Sequence, residues 1–155
     1  MFLRAFRRDD KRALQQLFYE SVHAIGHAYY TTAQLERWAP AVPDRERWIQ
    51  LDAQYCFVVE AHKQLVGFSA LNSSHLDWLY VHPNYQLKGV ATALMRQMER
   101  SARKNGMHNI QTEVPLNARG FFERFGFRVQ TDEVNQNGIF PHYTMEKRVS
   151  PAVKA

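Results

Sequence analysis

One segment limits the folds open to this chain more than any other. In Leu79-Tyr80-Val81-His82-Pro83-Asn84-Tyr85-Gln86-Leu87-Lys88-Gly89-Val90-Ala91-Thr92-Ala93-Leu94, an apolar strand runs into a Pro-Asn loop and an amphipathic helix opens at Gln86-x-x-Gly89-x-Ala91. Val90, Ala93, Leu94, Met98 and Ala102 give that helix one apolar stripe, which must bury against a sheet, and Gly106 ends it. At its start, unpaired N–H groups and the positive end of the helix dipole favour an anion. Gly89 and Ala91 keep the surface low, so a phosphate can approach the backbone, and a pyrophosphate is the natural occupant. The segment is not a P-loop, because Gly-x-x-x-x-Gly-Lys-Ser/Thr is absent. It is not a dinucleotide fingerprint either, because the triple-glycine spacing is missing.

Around this segment the pattern changes from helical to extended. Phe2 to Phe6 alternates as a short strand, and Asp9 or Asp10 caps a helix whose Leu14, Leu17, Phe18, Ser21, Val22 and Ile25 share a face up to Gly26. Thr31-Thr32-Ala33-Gln34 offers a capping box to a second helix through Trp38, and Asp44 to Leu51 predicts a third. Tyr55 to Ala61 is nearly all apolar, which predicts a strand covered on both faces. It pairs with Leu65 to Leu71 through His62-Lys63-Gln64, and Leu76 to Val81 is a third strand. Beyond the long helix, Asn109 to Val114 is a strand stopped by Pro115, and Asn117 caps a short helix closed by Gly126. Two last strands, Phe127 to Val134 and Ile139 to Lys147, meet at Asn137-Gly138, a strong hairpin signal. The order predicts an α/β (α+β) fold, a mixed sheet with helices on both faces. One domain over residues 1–148 and a flexible tail over 149–155 complete the expectation.

At 155 residues, 45% hydrophobic and 13% aromatic, the chain fits one domain with a real core, which excludes intrinsic disorder. No apolar run reaches the length a bilayer needs, and the charged start lacks the apolar stretch of a signal peptide. Cys56 is the only cysteine, so no intramolecular disulfide forms, and the expected location is cytoplasmic. The net charge of +5 points to an anionic partner.

The motif Leu79-Tyr80-Val81-His82-Pro83-x-x-Gln86-x-x-Gly89-x-Ala91 resembles the acetyl-CoA motif of the GNAT superfamily of N-acetyltransferases. Asn117-Ala118-Arg119-Gly120-Phe121-Phe122-Glu123-Arg124-Phe125-Gly126-Phe127 resembles that family's second motif, with one strand between the two. The element order follows the family from Phe2 to about Lys147. Stand-alone bacterial members with the same Phe-Phe pair also resemble this chain at Tyr30, Gln34 and Trp38. The resemblance implies a mostly antiparallel sheet whose fourth and fifth strands splay apart. It implies that N–H groups of Leu87, Lys88, Gly89, Val90, Ala91 and Thr92, after Gln86, hold the pyrophosphate of acetyl-CoA. Leu79, Tyr80 and Val81 would pair with the pantetheine arm, and the Val81 N–H would stabilise the oxyanion. Asn117 and Arg124 match positions near the cofactor. The family often has a tyrosine as general acid where this chain has Phe122.

Acetyl transfer to nitrogen needs a neutral amine, hence a base. His75 lies six residues before Val81, where several family members carry a catalytic glutamate, and Asp77 shares its face by the period of two. Glu113 ends the strand across the splay, and Glu113 and His75 together are the expected base. Tyr143, on the last strand, is the expected acid, with Tyr80 as the alternative. Tyr30, Trp38, Asp77 and Phe140 are expected around the acceptor, an aromatic setting that suits an amine on an apolar or aromatic skeleton. His23 and His27 are spaced i, i+4 but lack a third ligand, so no metal is expected. Cys56, inside an apolar strand, reads as an inert thiol, which favours direct transfer in a ternary complex. The expected activity is acetyl transfer from acetyl-CoA to a primary amine on a small molecule or peptide. No membrane or nucleic-acid partner is expected, although a homodimer is compatible with the family. The alternatives are an RNA-directed protein of the same fold and a non-catalytic acyl-CoA sensor.

Overall fold

A computed structural model of the chain describes residues 1–151. The order is β1 (Phe2–Ala5), α1 (Lys11–His23), α2 (Thr32–Trp38), α3 (Arg45–Gln50), β2 (Tyr55–Ala61), β3 (Gln64–Asn72), β4 (His75–Val81), α4 (Val90–Lys104), β5 (Asn109–Pro115), α5 (Arg119–Arg124), β6 (Arg128–Val129) and β7 (His142–Arg148). One seven-stranded sheet runs β1-β2-β3-β4-β5-β7-β6. Every neighbouring pair is antiparallel except β4 and β5, which the α4 crossover makes parallel. The expected mixed sheet is therefore the observed one.

The sheet separates two cores. On one face Leu14, Phe18 and Val22 of α1 pack with Trp38, Trp48, Phe68 and Trp78. On the other, Met95, Met98 and Ala102 of α4 and Phe122 of α5 pack with Leu71, Leu76, Ile110, Val114 and Met145. α4 lies so close to β3 that a Cβ on Gly67 would stand 2.6 Å from a Val90 methyl. Two helix starts behave as the sequence predicts. Thr31 Oγ1 accepts from the Gln34 N–H while Gln34 Oε1 accepts from the Thr31 N–H, and Asp44 accepts from the Glu46 N–H. Asp10 does not: Arg4 grips its carboxylate through two 2.9 Å bonds, and a third bond comes from the Arg7 N–H at 2.7 Å. Burial pushes the Asp10 carboxyl up, but those bonds outweigh it and hold the group below its ordinary value.

Three boundaries depart from expectation for local reasons. α4 starts at Val90 rather than Gln86, because Leu87 (φ 59°) and Gly89 (φ 84°) occupy left-handed conformations that no helix contains. Asn117 does not cap α5; the N-cap position is Ala118, without a side-chain bond. The Asn137-Gly138 hairpin does not form. β6 is two residues long; after the Gln130 N–H bonds the Thr144 carbonyl, residues 131–141 loop away from β7 and touch it at the Asn135–His142 bridge. Phe140 draws that loop inward by stacking on Trp38, rings 3.9 Å apart, and Pro141 has no N–H to give a ladder. The expected tail begins at a residue that is packed. Val149 is buried and its N–H bonds the His108 carbonyl; residues 152–155 lie outside the described residues.

Candidate functional site

β4 carries one extra residue. Ala70 pairs with Trp78 but Leu71 pairs with Leu76, so Asp77 bulges from the ladder. The bulge reverses the side-chain alternation: Leu76 packs on the α4 face, whereas Trp78 packs on the α1 face. Below the bulge β4 pairs with β5, His75 with Gln111 and Leu76 with Thr112. Above it the strands separate, and a cleft of about 530 Å³ opens between them. The splay expected of strands four and five is thus present.

The backbone of β4 faces this gap at two residues. His82 donates to the Val66 carbonyl at 2.8 Å, which fixes the phase of the β3–β4 ladder. By antiparallel alternation Tyr80 bonds with Phe68, while Leu79 and Val81 turn their N–H and C=O groups away from β3. The Val81 carbonyl accepts from Ser21 Oγ at 3.0 Å and from Gln86 Nε2 at 3.1 Å. Its N–H and the Leu79 groups are aimed into the cleft.

The start of α4 lies beside the same cleft. Its first helical bond runs from the Ala93 N–H to the Gly89 carbonyl at 3.0 Å, so Val90, Ala91 and Thr92 have no N–H bond within the helix. Nothing approaches within 4 Å of a Cβ built on Gly89, so the way to these N–H groups is open. Gln86, Leu87 and Ala91 line the cleft, as do Asn117, Phe121, Phe122 and Arg124 from the second motif. Lys88, Gly89, Val90 and Thr92 do not line it, although they build the same turn. Free N–H donors, an open approach and the nearby Arg124 fit a phosphate-bearing group.

At the other end His75, expected to act together with Glu113, is bonded to Asp77 instead. His75 Nδ1 bonds Asp77 Oδ1, whose second oxygen accepts from Gln54 Nε2 at 2.9 Å. A carboxylate only accepts, so Nδ1 carries the proton and Nε2 the lone pair. The Asp77 bond raises the His75 pKa above its ordinary value; burial opposes this, and the charges of Asp77 and Glu113 add to it. Glu113 is exposed on β5 and lines the cleft with His75, Asp77, Trp38, Tyr80 and Phe140. Burial pushes the Tyr80 phenol up to about 12, and its oxygen accepts from Trp38 Nε1 at 3.1 Å.

Two expected residues lie elsewhere. Tyr143 is outside the cleft lining, its ring under the Arg119 guanidinium at 5.1 Å. Tyr30 is buried, donates to the Pro141 carbonyl at 2.6 Å and accepts from the Leu116 N–H at 2.9 Å, so it ties two loops together instead of facing a ligand. Cys56 is buried, its thiol pushed up to about 12, and is not in the lining. His23 and His27 bond separately, to the Ala39 carbonyl and to Thr32 Oγ1. Among the described residues no group of three His, Cys, Asp or Glu side chains is placed to hold a metal, and no helix is long and apolar enough to cross a membrane. The sequence reading missed Arg47 and Gln50 of α3, which also line the cleft.

Comparison with known proteins agrees with this fold. A family model described as an acetyltransferase (GNAT) domain matches residues 27–149. The N-acetyltransferase YafP of Escherichia coli is 28% identical over 127 residues, 81% of this chain and 80% of that protein. A GCN5-related N-acetyltransferase from Rhodopseudomonas palustris superposes with a TM-score of 0.87 at 26% identity, covering 96% of this chain and 95% of the other. The PaiA N-acetyltransferase of Thermoplasma acidophilum, crystallised with coenzyme A, has a TM-score of 0.72 at 20% identity over 96% of this chain and 99% of its own.

Proposed function

Since the chain belongs to the GNAT acetyltransferase family, we propose that its splayed cleft moves an acetyl group from acetyl-CoA directly to a primary amine. The observation that carries this reading is the pair of Leu79 and Val81 backbone groups turned into the gap beside the free N–H groups of α4. The Val90, Ala91 and Thr92 N–H groups hold the pyrophosphate, with Arg124 adding charge. The β4 edge receives the pantetheine arm as an added strand, and the Val81 N–H meets the carbonyl oxygen as it becomes negative. Acetyl-CoA supplies the activated acyl group.

His75 Nε2 takes the amine proton, and Asp77 holds the ring and stabilises the imidazolium. Glu113 adds negative charge on the far side of the cleft. No tyrosine is needed for the leaving group. A thiol of pKa about 8.5 departs as thiolate, and a phenol at about 12, as in Tyr80, is too weak an acid to protonate it usefully. The buried Cys56 does not supply an acetyl-enzyme intermediate.

Thiol release from acetyl-CoA across a panel of amines tests the reading. Release is expected only with an acceptor present. Gly89→Glu is expected to abolish CoA binding by calorimetry with the fold retained, and His75→Ala to lower turnover by about a hundredfold with CoA binding unchanged. CoA binding without turnover by any amine would mean a sensor. Unaltered CoA affinity in folded Gly89→Glu would reject the cofactor site.

A further inference from the structure

Arg47 is a cation that the transfer chemistry does not use. It comes from α3 and lines the same cleft as His75, Asp77 and Glu113. One Nη1–H donates to the Trp38 carbonyl at 2.7 Å. The guanidinium lies 5.0 Å from the centroids of both the Phe18 and the Trp78 rings. No ion pair among the described residues includes it, although Arg4, the other half-buried arginine of this face, is held by Asp10 and Glu60. A guanidinium has five N–H donors in one plane, and the carbonyl uses one of them. Aromatic neighbours attract the cation over their faces but accept no in-plane hydrogen bond. The remaining donors therefore point along the plane of the fork, and a planar acceptor with two oxygens satisfies them best.

The lining of the acceptor space thus carries both signs of charge. Asp77 and Glu113 suit an incoming ammonium near the base, and Arg47 suits an anion. Trp38, Trp78 and Phe140 line the wall with them. We propose that Arg47 is the acceptor's carboxylate anchor, and that the acceptor is a carboxylate-bearing amine of amino-acid type. This narrows, and rests on, the acetyl-transfer reading above. The expectation from sequence, an amine on an apolar or aromatic skeleton, did not include a carboxylate.

The test compares phenylalanine, leucine, methionine, glutamine and lysine, each with its α-carboxamide. Thiol release is followed across pH, and kcat/KM is expressed per free-base amine, which removes the difference in amine ionisation; the difference in intrinsic nucleophilicity is common to wild type and Arg47→Met and cancels between them. At least one carboxylate is expected to exceed its carboxamide tenfold or more, and Arg47→Met to erase that preference. Arg47→Lys, which keeps the charge without the fork, is expected to retain part of it. Calorimetry of the CoA-loaded protein with the same pairs reads the anchor without turnover. Carboxylate-dependent binding that Arg47→Met abolishes upholds the anchor even if no amine is acetylated, in which case the transfer reading fails alone. Equal kcat/KM and equal binding within every pair overturn the anchor. A rise in KM for acetyl-CoA in Arg47→Met, the same with either member of a pair, also overturns it, since Arg47 would then serve the donor.

Discussion

Asp77 has two jobs for one side chain. Its bulge decides which face Trp78 and Tyr80 occupy, and its carboxylate fixes the tautomer of His75. The raised His75 pKa makes the sign of the pH response definite. Below it the imidazolium has no lone pair, so kcat/KM per free-base amine rises with pH, with a midpoint above 6.5. Asp77→Asn is expected to move that midpoint down toward 6.5 and to lower the plateau about tenfold or more, since a less basic imidazole accepts the proton less readily. A pH–rate profile that keeps its midpoint in the variant would separate Asp77 from the base. The same shift stabilises the fold at acid pH: the contribution is complete below the unfolded value near 6.5 and vanishes as pH rises through the folded one. Residues of this kind were partly legible. His75 and Asp77 stood out by their distance from Val81 and by the period of two. Arg47 carried no signal, because an arginine on a short capped helix is by default a solvated residue. Only the tertiary placement of α3 against Trp38 gives it meaning.

Elements were legible where one local force decided them. β2 matches its expected span, β4 differs by one residue at its start and β3 by one residue at each end, because the apolar pattern and the turn residues agree there. The start of α4 was misread by four residues. Period-3.6 spacing continues back through Leu87, and nothing in a leucine announces a φ of 59°. The last hairpin was misread because Asn137-Gly138 is a local signal that lost to a long-range one, the stacking of Phe140 on Trp38. The β3–α4 contact is another long-range constraint, and Gly67 exposes it. A methyl there would meet Val90 Cγ1 at 2.6 Å, Leu94 Cδ1 at 3.1 Å and the Tyr80 carbonyl at 3.3 Å. Gly67→Ala is expected to cost about 1–3 kcal/mol in urea unfolding. Pushing α4 outward also displaces the Val90 to Thr92 N–H groups, so CoA affinity is expected to fall. In the Gly67→Ala, Val90→Ala double variant both losses should shrink, which distinguishes crowding at this contact from a general weakening.

At the scale of the molecule, the sheet is continuous in order but not in bonding. β4 and β5 join at two residue pairs, His75 with Gln111 and Leu76 with Thr112, and part beyond them. The strands β1 to β4 and the strands β5 to β7 are thus two half-sheets hinged at one end of a shared border. Hydrogen exchange reads this seam directly. The Tyr80 amide, bonded to β3, is expected to exchange slowly whether or not a ligand is bound. The Leu79 and Val81 amides, its chain neighbours on the same strand, are expected to exchange quickly in the free protein and to become protected when acetyl-CoA is added. Uniform protection of residues 79–81 in the free protein would contradict the alternation. If the alternating pattern holds, the donor substrate is also a missing piece of secondary structure, and each round of catalysis opens and closes a β-sheet.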